Sequence, residues 1–145
     1  MRRKPAILLF LLIFLSLGGA ILFHHLRKDP RPPFAEVDAF LKNEAATGDL
    51  LVSHFPQTSF QRPRSGWWDH LGIHLLNTIE EDEYVFLHAN GTIVANAVVG
   101  REHGIVEYLY LKSPETKSGA PLFPGEFQEL EKIIYGRFPA ELWKP

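Results

Sequence analysis

Cysteine is absent from all 145 residues, which removes disulfides, thiolate metal sites and cysteine nucleophiles together. It leaves the compartment open, since disulfide-free proteins occur on both sides of a membrane. Phosphate-binding glycine loops, a Gly-x-Ser-x-Gly elbow and internal repeats are also missing, so the usual nucleotide and serine-hydrolase signatures do not apply. Acidic side chains are lacking in residues 1–28, which carry five basic ones, Arg2, Arg3, Lys4, Arg27 and Lys28. Basic residues are scarce in turn beyond that point: residues 29–145 hold ten Lys/Arg against seventeen Asp/Glu, a formal charge of −7. That balance excludes a nucleic-acid partner, because binding a phosphate backbone needs clustered cations that release counterions. The 117 residues of the acidic piece suffice for one core and are short for two.

The basic piece contains an uncharged run of eighteen residues, Ala6 to Phe23. As a helix it would be about 27 Å long, near the hydrocarbon thickness of a bilayer. The sequence therefore predicts a signal anchor over residues 1–28, with residues 6–23 as a transmembrane helix and the membrane as partner. A cleaved signal peptide ending at Gly18-Gly19-Ala20 is the alternative, but apolar residues continue through Ile21, Leu22 and Phe23. With the amino terminus inside, the chain is expected to be a single-pass protein of the cell membrane with an extracytoplasmic body. Asp29 to Pro33, with three prolines, reads as a stiff linker, and residues 34–145 as a single domain.

Within that domain Phe34, Val37, Phe40, Leu41 and Ala45 recur at helical spacing and Gly48 is placed to end the helix. A short strand follows over Leu50 to His54, then an irregular stretch from Phe55 to Trp68. In Asp69 to Leu76 the alternation suggests a strand with Leu71, Ile73 and Leu75 on one face and His70, Gly72 and His74 on the other. Glu80 to Glu83 reads as a solvated loop. Asn90-Gly91 between Tyr84–Ala89 and Thr92–Val99 points to a type I′ hairpin, Ile105 to Lys112 to a further strand, and Phe127, Leu130, Ile133 and Ile134 to a closing helix. The expected fold class is α+β, a transmembrane helix followed by a small antiparallel sheet of about five strands flanked by two helices. Leu71, Ile73, Leu75, Val85 and Leu87 are its expected core side.

Three segments resemble the core of the NlpC-like papain-fold amidases: Gly48-Asp49-Leu50-Leu51-Val52, Asp69-His70-Leu71-Gly72-Ile73-His74 and Tyr84-Val85-Phe86-Leu87-His88-Ala89. The likeness is to their circularly permuted branch, which includes YaeF/YiiX-type and lecithin:retinol acyltransferase-like proteins, and it spans Gly48 to Lys112. It implies a papain-like cleft, with His70 at the position of the catalytic base and His88 near the group that orients it. The chemistry requires a thiolate, and this chain departs from the pattern in having none. Where permuted members carry the nucleophile, this sequence reads Ala120-Pro121-Leu122-Phe123-Pro124-Gly125.

The remaining candidates surround His70. Trp67 and Trp68 are expected to rim a ligand groove, and Asp69 and His74 to contribute to it. As strand residues, His70 and His74 stand about 13 Å apart, too far to share an ion; on a helix the same spacing would suit zinc. No metal and no cofactor are expected. The chain reads as an anchored, papain-like domain that has lost its nucleophile and binds a cell-wall peptide, a lipid or a protein partner. A metal- or serine-dependent hydrolase using His70, and an anchored immunity-type protein, remain open beside it.

Overall fold

The computed structural model describes residues 12–20, 31–56 and 59–139. The chain divides into two units, Met1–Pro30 and Arg31–Pro145. In the first, residues 12–20 form a helix, α1. The expected transmembrane helix is corrected here: among the described residues no helix is long and apolar enough to cross a membrane. Nine residues of helix reach about 14 Å, half of a hydrocarbon core, and both ends of the Ala6 to Phe23 run lie outside the described residues.

The second unit is built on an antiparallel meander. Helix α2 (Phe34–Asn43) is followed by strands β1 (Leu51–Pro56) and β2 (Phe60–Arg64), a 3-10 turn (Trp67–Leu71), strands β3 (Leu75–Leu87), β4 (Ile93–Glu102) and β5 (Ile105–Lys112), and helix α3 (Pro124–Arg137). β1 and β2 share one flank of β3, β1 pairing with Leu87 to Asp82 and β2 with Ile79 to Leu75. β4 and β5 continue the sheet on the other side of β3.

The pleat gives β3 two faces. Asp82, Tyr84 and Phe86 alternate into the main core, beside Ala95, Ala97 and Val99 of β4 and Val106 and Leu109 of β5. Val37, Phe40 and Leu41 of α2 and Leu130 and Ile134 of α3 close over the same face, with Phe138 set edge-on to Phe40 at 5.3 Å. Each large side chain fully removed from water there contributes about 1.5–3 kcal/mol. The opposite face holds a smaller cluster, Ile79, Val98 and Tyr108. At its centre Gly100 leaves room for a ring: a Cβ there would sit 2.1 Å from Tyr108.

Several expectations need correction. The core residues of β3 are Tyr84 and Phe86, one position out of step with Val85 and Leu87, and a one-residue shift moves every side chain to the other face. Leu71, Ile73 and Leu75 are exposed. Leu71 ends a 3-10 turn capped by Gly72 at φ 74°, Ile73 follows it outside any strand, and the strand starts only at Leu75, so the alternation over Asp69 to His74 reflects no strand. Glu80 to Glu83 are no loop but the middle of β3, each acid paired: Glu80 and Asp82 with Arg101, Glu81 with Tyr108, Glu83 with Asn96 and Lys112. Asn90-Gly91 does turn the chain, through a His88–Gly91 hydrogen bond of 2.9 Å. Only Gly91 has positive φ, however, and the turn with two positive φ values in succession is at His103-Gly104. The proline linker also pairs with the sheet, Pro33 bridging to Ile105.

Candidate functional site

β3 carries candidate groups at three stations. Its middle holds a polar network under α2. Asp82, 4% exposed at its side chain, accepts a hydrogen bond from Arg101 Nε at 3.0 Å and faces His54 Nε2 at 2.7 Å. The His54 ring stacks on Tyr84 with centroids 4.6 Å apart. The Tyr84 hydroxyl donates to Asp38 at 2.6 Å, and Lys42 reaches the same carboxylate. Burial, reinforced by that bond to Asp38, pushes the Tyr84 phenol far above its ordinary range. Burial acts to raise the Asp38 carboxyl too, but the bonds from Lys42 and Tyr84 outweigh it and hold the group below the usual value. His54 and Asp82 form an oriented imidazole–carboxylate pair. Both Asp82 oxygens are engaged, and the Tyr84 hydroxyl is committed to Asp38, so the network reads as a brace between α2, β1, β3 and β4.

The C-terminal end of β3 opens into a cavity of about 310 Å³ lined by Thr47, Gly48, Asp49, Leu50, His88, Glu126 and Glu129. Gly48, at φ 62°, turns the chain from the end of α2 toward β1 and exposes backbone to the cavity. His88 Nε2 lies 3.1 Å from Glu126, and its ring meets the edge of Phe123 at 5.9 Å. Pro124 starts α3 without a side-chain cap, and Glu126 in the first turn supplies the negative charge that a helix amino terminus favours.

The N-terminal end of β3 carries the other sequence candidates. Asp69 holds the 3-10 turn together, its carboxylate accepting from Gly66 N at 3.0 Å. His74 is 82% exposed and 4.0 Å from Asp69, and His70 is exposed as well. Trp68 folds back, its Nε1 donating to Arg64 O at 3.1 Å, while Trp67 remains 70% exposed. Thirteen residues of β3 separate this turn from His88, about 40 Å of extended chain. The structure thus brings Gly48-Asp49, His88 and the start of the last helix around one cavity. His70, His74, Trp67, Trp68 and Asp69 stand together at the opposite end. Among the described residues no group of three or more His, Asp or Glu side chains is placed to hold a metal ion.

No family model, curated protein or solved structure matches the chain. Function must therefore be argued from the side chains themselves. Among them, Glu126 and Glu129 escaped sequence reasoning because surface acids on a helix carry no pattern of their own. The signal that could have drawn attention to them is their place in the first turns of a helix that begins with proline. The His54–Asp82 pair had none, its partners being 28 residues apart.

Proposed function

We propose that the body binds and does not catalyse, and that its ligand is a peptide bearing an ammonium group, of the kind a diamino acid gives to cell-wall peptides, held in the cavity beside His88. The observation that carries this reading is the cavity's lining: three carboxylates, Asp49, Glu126 and Glu129, and no Lys or Arg. An ammonium group there gains charge-assisted hydrogen bonds, while the open backbone at Gly48 lets a peptide approach closely. The cavity takes up only part of the papain-like pattern: two of its three segments and the start of the last helix meet there, while His70, matched to the catalytic base, stands at the other end of β3. Without a thiol, such a cleft has binding to offer and no acyl-enzyme to form. An acyl chain fits this lining poorly, because burying a carboxylate against hydrocarbon is costly.

The test is calorimetric titration of the full chain with a lysine-containing stem tripeptide and with its side-chain N-acetylated counterpart. The free amine should bind and the acetylated peptide should not, and Glu129→Gln should weaken binding by about three- to tenfold. Equal binding of both peptides, or cleavage of the peptide during the titration, would overturn the reading.

A further inference from the structure

The far end of β3 does not take part in that cavity and calls for an account of its own. Leu75 to Ile79 pair with β2, and the pairing with β4 begins only at Glu80. β2 and the start of β3 therefore run past the four-stranded part of the sheet as a two-stranded arm, tied at its base to β4 and β5 by Asn77–Glu102 and Arg62–Glu107 and closed by the turn from Ser65 to His74. A ribbon of two strands is marginal in water by itself, yet this one presents its largest apolar side chains outward. Trp67, Leu71, Ile73, Leu75 and Leu76 are between 41% and 70% exposed.

Their distribution says what could cover them. Leu75 and Leu76 are consecutive strand residues and point to opposite faces, while Trp67, Leu71 and Ile73 occupy the turn between the strands. Apolar groups thus lie on both faces of the arm and along its tip, where they alternate with the exposed Asp69, His70 and His74. A folded protein partner would cover one face of such an arm, whereas a bilayer receives all sides at once. Charge agrees at Arg64: Arg62 is committed to Glu107 of β5, so Arg64 is the cation that Phe60 to Leu76 offers against the single acid Asp69, while the rest of residues 29–145 holds eight basic against sixteen acidic residues. The Arg64 guanidinium lies 5.4 Å from the Trp68 ring centroid, a pairing of cation and indole suited to the headgroup level.

We propose that the β2–β3 arm is a lipid-inserting finger, in which Trp67, Leu71, Ile73, Leu75 and Leu76 enter the acyl boundary of an anionic bilayer while Arg64 meets lipid phosphate. The inference is independent of the ligand assigned to the cavity beside His88. It concerns where the arm sits, whatever else brings the chain to a membrane.

The absence of native cysteine makes the test direct. Full-length protein carrying a nitroxide on Leu71→Cys is mixed with vesicles of phosphatidylglycerol and phosphatidylcholine, and its collision rates with oxygen and with a water-soluble nickel chelate are measured. A second sample labelled at Asn90→Cys, at the opposite end of β3, is the reference. The Leu71 label should become oxygen-accessible and shielded from nickel, and the Asn90 label should stay in water. Ile73→Asp, a change at an exposed position whose melting curve reports folding, should reduce insertion of the Leu71 label about tenfold, and Arg64→Glu should abolish the preference for phosphatidylglycerol. A Leu71 label that remains water-accessible on vesicles overturns the proposal. So does a label that becomes immobilised without lipid as protein concentration rises, which would assign the arm to a second copy of the chain.

Discussion

Over its C-terminal half β3 lies between β1 and β4 and beneath two helices, whereas its first residues have β2 as their only backbone-paired neighbour among the described strands. The same strand is thus a core element at one end and, beyond Ile79 and the Asn77–Glu102 hydrogen bond that tie it to β4, a projecting edge at the other. The apolar content of the two ends is similar, with Tyr84, Val85, Phe86 and Leu87 set against Leu71, Ile73, Leu75 and Leu76. What differs is how many neighbours the topology supplies. Hydrophobicity says that a segment is to be covered; only the order of strands says whether the chain itself provides the cover.

The comparison can be broken most forcefully at Phe86, which is fully buried. Phe86→Asp places an unpaired carboxylate in the core at a cost of several kcal/mol, against a typical total stability of about 5–15 kcal/mol. Circular dichroism should show the body unfolded. Next in size is Asp82→Ala, which removes the carboxylate that faces His54 and leaves the Arg101 guanidinium with Glu80 alone; thermal melting should register a loss of about 3 kcal/mol. Gly100→Ala drives a methyl group into the Tyr108 ring and should cost about 2 kcal/mol, with the loss of Tyr108 packing visible in near-ultraviolet dichroism.

A smaller effect is expected from Tyr84→Phe, about 1 kcal/mol for one hydrogen bond, and its pH dependence distinguishes it. The Asp38 carboxyl titrates lower in the folded protein than its ordinary 3.8. Its contribution is therefore present above that value and is lost as pH falls through the lower folded one. Removing the phenol should shallow this acid limb of the melting temperature. At the other extreme the Tyr84 phenol is raised above its ordinary 10.0, so its contribution is complete below pH 10 and fades as pH rises through the higher folded value. The phenylalanine variant should lack that alkaline limb. Smallest of all is Ile73→Asp: at a site 48% exposed, the melting temperature should move by no more than about 0.5 kcal/mol equivalent. A large destabilisation there would mean that the arm is packed and not projecting.

How much of this could be read from the chain depended on whether the information was local. The α2 stripe at Val37, Phe40 and Leu41 and the α3 positions Leu130 and Ile134 were legible, because helix periodicity repeats within a few residues of itself. The reversal at Asn90-Gly91 was also legible, but its turn type was not, since the flanking strands and not the dipeptide decide how many residues the loop takes. The acidic run Glu80 to Glu83 misled because its partners, the cations Arg101 and Lys112 and the hydrogen-bond donors Tyr108 and Asn96, arrive from β4 and β5. Ile73 misled for the converse reason: an alternating pattern is only a promise of burial until a second layer is known to lie against it. Of the candidate site, His88 and Gly48-Asp49 were found through a resemblance, while Glu126 and Glu129 came into view only when α3 was placed beside them.

The stitching of the proline segment to β5 has a mechanical meaning. Val106 N donates to Pro32 O at 3.1 Å, and Phe34 N to Gly104 O at 2.7 Å. Tension drawn through the chain upstream of Arg31 thus enters the folded unit at the β4–β5 hairpin before it reaches α2. The Arg31–Glu107 ion pair and these two backbone hydrogen bonds stand ahead of the helix that begins at Phe34. The entry point of the chain is thus anchored on the sheet itself, at the same hairpin whose two positive φ values lie at His103 and Gly104.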